Sequence, residues 1–348
     1  MRSWAGGWAL VFWIALVGML SVARADELSG IPLFISDAIP ADTAAAQAAT
    51  RWAMTLPAPL KLNIQSTPAF PDNTVPKTGI VLAPITQWHA QLPALDVLRL
   101  PFFYTDLSAV HQAIDGELGV RLAQASQAAG WQLLAIWDAG MTDFSGNQRY
   151  NRLPNLAGMK FVLWHPDSLQ ETELRALGVW SRVVSDNGVQ RMAQECLVNS
   201  RSTTPAQMWR EHLQRVHLDI TLTQDRYEGF MLAIPLARWN RLSTEQRTHM
   251  TNSLASITSW ERTQASHEQT QALEALHKAG MQVHPLDAAT RQEYTQRMPP
   301  WQHFLVKLDE QTANDLIATA RTATAASGLG STREKAPANP LPAAPSAK

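Results

Sequence analysis

Residues 100–160 decide the fold: LPFFYTD (100–106), a helical stretch ending at Gly130, then WQLLAIWDAGMTDFSGNQRYNRLPNLAGMK (131–160). An apolar strand start at Leu100, an amphipathic helix that Asp106 is placed to cap, and a second apolar strand from Trp131 make one β-α-β unit. The second strand runs into Trp137-Asp138-Ala139-Gly140, and an AGMK turn at 157–160 opens a third strand over 161–164. Outward from this unit the same alternation continues. Strands are expected at 31–38, 60–64 and 79–83, with an Ala-rich helix at 43–54 and a Pro-rich loop at 67–77. Beyond it come a helix at 167–176, a strand at 181–184, a helix at 188–194 and an extended stretch at 218–222. Helices alternating with short apolar strands predict an α/β protein with mostly parallel pairing.

The N-terminus points to export. Arg2 precedes an apolar run from Trp8 to Val22, and Ala23-Arg24-Ala25 offers a small-x-small cleavage site before Asp26. That is the layout of a signal peptide over 1–25, shorter than a membrane span and flanked differently; an uncleaved anchor is the alternative. Cleavage leaves 27 basic against 30 acidic residues, a net charge of −3 with no basic footprint for nucleic acid. Cys196 is the single cysteine, so no intramolecular disulfide can form, and stability must come from a packed core. A chain with 45% apolar residues is long enough to bury one, divided between two lobes.

One helix has architectural meaning. Ser243-Thr244-Glu245-Gln246 reads as a capping box, and neither Gly nor Pro interrupts the chain before Gly280. The helix over 243–279 is about 55 Å long, more than a small lobe is wide. Met250, Leu254 and Ile257 give its front an apolar stripe, and Leu273 and Leu276 its rear, while 263–270 is polar all round. Apolar ends around a polar middle predict a helix packed on two lobes and bridging a cleft; two helices broken at that middle are the alternative. From Thr322 onward, Ala, Ser, Gly, Pro and Lys dominate, the composition of a disordered tail.

The order LPF, Trp-Asp-x-Gly and Gly-Met-Lys-Phe-Val, with the long helix and Lys278-Ala279-Gly280-Met281-Gln282-Val283 after it, resembles the DctP-type solute receptors of tripartite ATP-independent periplasmic (TRAP) transporters. The resemblance covers about 31–320. It implies a two-lobe α/β fold like that of periplasmic binding proteins, with lobe I over 26–138 and 224–260 and lobe II over 139–223 and 261–320. The helix over 243–279 would bridge them, leaving 321–348 as the tail. It also implies a monomer that delivers a small solute to TRAP membrane subunits, with no cofactor.

Enzyme signals are lacking in the sequence: no G-x-S-x-G elbow, no H-E-x-x-H, no Walker loop and no zinc-spaced cysteines. Cys196 reads as core filler rather than nucleophile, and His267-Glu268 as solvated surface rather than metal ligands. Aromatic residues are the better signal, since ten Trp remain after the signal peptide against four Tyr. Trp88, Trp137, Trp164 and Trp180 fall at strand ends, where α/β proteins bind ligands, and Trp209 lies on a later helix. Trp88, flanked by Gln87 and His89, and Trp164, beside His165, are the leading pocket candidates. Taken singly, each Trp is more often core than ligand wall.

Arginine is where the chain departs from the family. The resemblance implies a ligand-gripping Arg where Val162 stands, a second Arg where Thr142 stands, and an acidic segment that here reads Val198-Asn199-Ser200-Arg201-Ser202-Thr203. Arg149 and Arg182 are candidate replacements, or else surface residues. A pocket with Thr142, Asn199 and Thr203 as its polar groups suits an uncharged or aromatic solute better than a dicarboxylate. Two other classes stay open: a sensory or assembly protein that has kept the scaffold and lost transport, and an enzyme without a known motif. The export reading is checked by N-terminal sequencing of the mature protein, which should begin Asp26-Glu27-Leu28; an intact Met1 in the membrane fraction overturns it.

Overall fold

The computed structural model describes residues 30–57, 60–68, 75–163, 165–184 and 199–330, with side chains to Thr324. The expected signal peptide, the helix at 188–194, Cys196 and Trp164 lie outside the described residues. In chain order the strands are β1 Ile31–Ser36, β2 Leu62–Thr67, β3 Ile80–Pro84, β4 Trp131–Met141, β5 Asp143–Gly146, β6 Lys160–Leu163, β7 Trp180–Val183, β8 Ser200–Thr203, β9 Asp219–Leu222, β10 Tyr227–Pro235 and β11 Gln282–Pro285. The longer helices are α1 Ala44–Thr55, α2 Leu107–Asp115, α3 Glu117–Ala128, α4 Ser168–Ala176, α5 Pro205–Arg210, α6 Thr244–Lys278, α7 Ala288–Arg297 and α8 Glu310–Gly330.

The strands form two sheets, ordered β2-β1-β3-β10-β4 and β11-β9-β5-β8-β6-β7. Pairing is more mixed than the sequence predicts. β1 runs parallel to β2 and β3, but β10 is antiparallel to both β3 and β4, and β5 is antiparallel to β8 and β9. The reason is the route of the chain: it leaves the first sheet through β4 into β5 and returns through β9 into β10, so outgoing and returning strands lie antiparallel. β3 and β10 are buried on both faces. Val81, Ala83, Met231 and Ala233 face one apolar cluster, and Ile80, Leu82, Leu232 and Ile234 the other, as strict alternation requires.

Three local expectations need correction. The strand expected near 98–103 is a 3-10 helix, Pro93–Arg99, followed by a turn in which Phe102 adopts φ 55° and donates its N–H to the Asp225 carbonyl at 2.6 Å. Its apolar run is buried all round, a pattern that periodicity cannot assign between strand and helix. The helix expected from Asp106 to 129 is two helices, because Gly116 takes an extended conformation between α2 and α3. Helix α8 runs to Gly330, into the segment expected to be disordered, in keeping with the high helix propensity of its alanines.

The two sheets meet where the chain crosses between them. The Thr142 N–H donates to the Arg226 carbonyl at 2.8 Å, and the Asp225 N–H donates to the Thr142 carbonyl at 3.0 Å. The Thr142 hydroxyl donates to Asp225 Oδ2 at 2.7 Å. Beside them the Asp143 carboxyl accepts the Gln224 N–H at 2.9 Å, holding Gln224 at φ 42°. Burial, with the charge of Asp225 adding to it, pushes the Asp143 carboxyl up to about 8.

Helix α6 spans both sheets unbroken. The capping box is present: Ser243 accepts the Gln246 N–H, and Gln246 accepts the Ser243 N–H. Its front half packs on the first sheet through Met250, Leu254 and Ile257, and Leu276 near its end joins the core of the second. Of the pair expected to be solvated surface, His267 is exposed, whereas Glu268 is half-buried and engaged. Glu268 accepts the Ala44 N–H at the start of α1 at 3.0 Å and pairs with Arg210 of α5. Gln269 donates to the Ala139 carbonyl at 2.8 Å and accepts the Ala206 N–H at 3.0 Å. Neighbouring residues of one helix thus fasten both lobes, and Ala265 between the apolar ends is 1% exposed.

Replacing Ala265 with Pro removes a helical hydrogen bond where no loop can absorb it, and should lower stability by about 3 kcal/mol or more in urea unfolding. Unchanged stability would mean the helix is already broken there. Asp143 holds its proton in the folded chain to about pH 8, whereas an unfolded Asp at 3.8 has lost it. Stability should therefore fall as pH rises between about 4 and 8, by up to about 1.4 kcal/mol per pH unit. Asp143→Asn, which mimics the protonated acid, should flatten that slope; an unaltered pH profile would sink the assignment.

Candidate functional site

Between the two sheets lies a cavity of about 390 Å³. Its first wall is the C-terminal end of β1 with Asp37 and Ala38, and Pro84 at the end of β3 with Thr86 just beyond it. Its opposite wall is the turn His165-Pro166-Asp167 with Gln170 of α4, the end of β8 from Arg201 to Thr203, and Gln207 and Arg210 of α5. The crossing strands supply its floor, through Asp138, Ala139, Thr142, Arg226, Glu228 and Phe230, and helix α6 contributes Glu268. Strand ends converge here because β1 and β3 both terminate at this level of the first sheet. That is where open α/β sheets leave room for a ligand.

The wall is charged. Arg226, 2% exposed, reaches Glu173, Asp225 at 3.5 Å and Glu228 at 3.1 Å. Arg99 sits behind it, paired with Asp167 and with Glu228 at 3.1 Å. Arg201 forks onto Glu211 with two contacts of 3.0 Å and donates to the Val162 carbonyl at 3.0 Å. Paired forks of this kind are the strong form of the guanidinium–carboxylate bond. Burial would raise the Asp167 carboxyl, but Arg99 and Arg226 outweigh it and hold it at about 2. Glu173 goes the other way: burial and the nearby Asp225 push it well above the ordinary range despite Arg226. At neutral pH Asp167 is charged, whereas burial disfavours the charged form of Glu173.

Of the residues singled out in the sequence, Thr142 and Thr203 line the cavity. The Thr142 hydroxyl is engaged with Asp225 and the Arg226 carbonyl, so its proton is directed at the crossing rather than at a ligand. The tryptophans belong elsewhere. Trp88 is fully buried and stacks edge-on against Trp131 at 4.9 Å, because the helical turn Ile85–Trp88 puts both its end residues on the core side. Trp137 is also fully buried and donates to Thr258 of α6 at 3.0 Å; alternation along β4 turns it to the helix. Trp209, 40% exposed, stands on α5 outside the cavity wall.

The remaining candidates are structural. Gln87 accepts from Ser36 at 3.0 Å and ties that turn to the end of β1. Asn199 accepts the Lys160 N–H at 3.0 Å and joins the start of β6 to β8. Arg149 is exposed in the loop after β5, and Arg182 is exposed on the edge strand β7. Neither lines the cavity. Val162 is buried, 2% exposed, and its strand partner across β8 is Arg201, which does line the cavity. The aromatic, apolar pocket expected from the sequence is therefore replaced by a polar one in which Phe230 is the aromatic member among the described residues. Sequence reasoning missed Arg99, Arg201, Arg226 and Glu228. One signal was present: Arg226 and Glu228 are two apart at the start of an otherwise apolar strand, a spacing that puts both on one face.

Comparison with known proteins agrees with this geometry. The model of DctP, bacterial extracellular solute-binding protein family 7, matches residues 77–307. The chain is similar to the C4-dicarboxylate-binding periplasmic protein DctP of Rhodobacter capsulatus, 26% identical over 231 residues, 66% of this chain and 68% of the relative. Its fold is similar to that of a TRAP periplasmic solute-binding protein of Ochrobactrum anthropi whose C-terminus is bound in its ligand-binding pocket. That likeness has a TM-score of 0.76 at 17% identity and covers 88% of this chain and 98% of the other. It is also similar to a TRAP periplasmic solute-binding protein of Shewanella oneidensis with bound succinate, with a TM-score of 0.71 at 19% identity, covering 85% and 100%. With two sheets, two crossings, a bridging helix and a cavity between them, the chain belongs to the DctP family of extracellular solute-binding proteins, a family of receptors and not of enzymes.

Proposed function

We propose that this receptor captures a small polar solute in the cavity between its sheets and hands it to the membrane subunits of a TRAP transporter. The observation that carries the reading is the cavity of about 390 Å³, walled by both sheets and floored by the strands that cross between them. Its volume is in the range of small-molecule sites. Lobe I is built on the first sheet and lobe II on the second, and the lobes pivot about Thr142 and the segment 223–226. Helix α8 belongs to lobe I rather than lobe II, because Ala313, Leu316, Ile317 and Ala320 bury in the same apolar cluster as Val81 and Met231. A solute that touches Ala38 and Thr86 on one side and Gln170 and Thr203 on the other makes its full set of contacts only when the cleft is closed. Binding then favours closure through that difference in affinity and through nothing else. Thr203, whose hydroxyl makes no hydrogen bond among the described residues, is a ligand contact on the second lobe. Export through a cleaved signal peptide and action as a monomer complete the reading.

Thermal unfolding against a panel of small acids, polyols and amines tests it. At least one class should stabilise the chain in a saturable way, by about 2.7 kcal/mol at a hundred-fold excess over Kd. Ala38→Trp fills the cavity from an exposed position and should abolish that gain without lowering the Tm of the free protein. A panel with no stabilising member, or stabilisation that survives Ala38→Trp, would exclude this cavity as the solute site.

A further inference from the structure

Besides the two strand crossings and helix α6, the chain passes between the lobes once more. Helix α7 belongs to the second lobe. Its Tyr294 is buried in one apolar cluster with Phe144 and Phe161 and donates to the Tyr150 carbonyl at 2.6 Å, and its Thr290 donates to the Asn151 carbonyl at 3.2 Å. Helix α8 lies on the first lobe. The passage between them is Met298-Pro299-Pro300, where Met298 packs against the clusters of both lobes. Two prolines in a row fix φ at each position and make a stiff link.

Arg291 of α7 ties this passage to the returning strand. One terminal nitrogen of its guanidinium donates to the Thr223 carbonyl at 2.6 Å, the other to the Tyr104 carbonyl at 2.6 Å, and both lie 3.4 Å from the Gln224 carbonyl. Tyr104 is buried in the core of the first lobe. One side chain therefore joins a helix of the second lobe, the core of the first and the crossing between them. The two peptides it grips on the crossing flank Gln224, whose φ of 42° is a strained value for a residue other than glycine. The Arg291 guanidinium also lies 5.6 Å from the centre of the Phe102 ring, and Phe102 is itself left-handed, with φ 55°. No carboxylate pairs with Arg291 among the described residues; its partners are backbone carbonyls. A planar fork with donors in fixed directions holds two segments at a set angle, which the point charge of a lysine does not. Arg291 does not line the cavity, so what it does for a solute it does through the lobes.

We propose that Arg291 is a positioning residue of the hinge: it holds the returning strand and the first lobe at one angle to α7, and so sets how far the empty cleft opens. The assignment rests on the reading that the lobes pivot about Thr142 and the segment 223–226. Pulsed electron spin resonance on the solute-free mature chain tests it, in a Cys196→Ser background. Spin labels go on Thr50→Cys of α1 and Arg175→Cys of α4, exposed positions on the first and second lobes. Arg291→Gln should widen the distribution of label distances by about twofold or more, because the hinge angle is no longer fixed. Arg291→Lys should widen it less, since it keeps the charge and loses the fork. Tyr294→Phe deletes a hydrogen bond of the same helix inside the second lobe, and should lower the Tm while leaving the distribution unchanged. If Arg291→Gln does not fold, Arg291→Lys carries the comparison. A distribution that the folded Arg291 variants leave as narrow as the parent's overturns the assignment, and so does one that Tyr294→Phe widens equally. Gln224→Gly frees the crossing itself and separates this outcome from the pivot. Widening by Gln224→Gly alone overturns the role of Arg291 and leaves the pivot standing; a distribution that no variant moves overturns both.

Discussion

The backbone pairing at Thr142 is the constraint on which the rest of this structure hangs. One residue separates β4 of the first sheet from β5 of the second, and its N–H and carbonyl bond to Arg226 and Asp225 of the returning strand at 2.8 and 3.0 Å. Because both strands pass through one short, mutually bonded segment, the lobes share an axis, and the space left beside that axis is the cavity. The left-handed backbone of Gln224, fixed by Asp143, turns the returning strand into the first sheet. Burial of these groups brings its own requirement: each polar atom at the crossing must find a partner inside the protein.

Helix α6 answers the second demand of a two-lobe protein, a connection that resists sliding but permits rotation. Its apolar ends bury against separate cores, and its middle makes directional polar contacts with the loop before α1, with β4 and with the start of α5. Hydrogen bonds of this kind depend on angle and distance more steeply than apolar contact does. The middle of the helix therefore sets the geometry of the cleft, while the ends supply most of the stabilisation.

The cavity inherits its character from the same economy. Guanidinium groups are buried around it, and each is neutralised by a carboxylate from a neighbouring element. Removing one member of such a buried pair leaves an uncompensated charge, which costs about 3–5 kcal/mol. The ion pairs are thus part of the scaffold that shapes the cavity.

The sequence by itself determined the large design. Apolar periodicity gave most strands and helices, the capping box placed the start of α6 at the right residue, and the polar middle between two apolar stripes showed that one helix serves two cores. These features are local, because they depend on spacing along one chain segment. It could not say which face of a junction looks outward, and so it sent Trp88 and Trp137 to the pocket when both lie in cores. Nor could it see that Arg201 stands next to Val162, since the two are 39 residues apart and meet only through β6–β8 pairing. Charge pairing between distant segments decided the site. Ion pairs form by proximity in space, and that proximity exists only once the sheets have assembled.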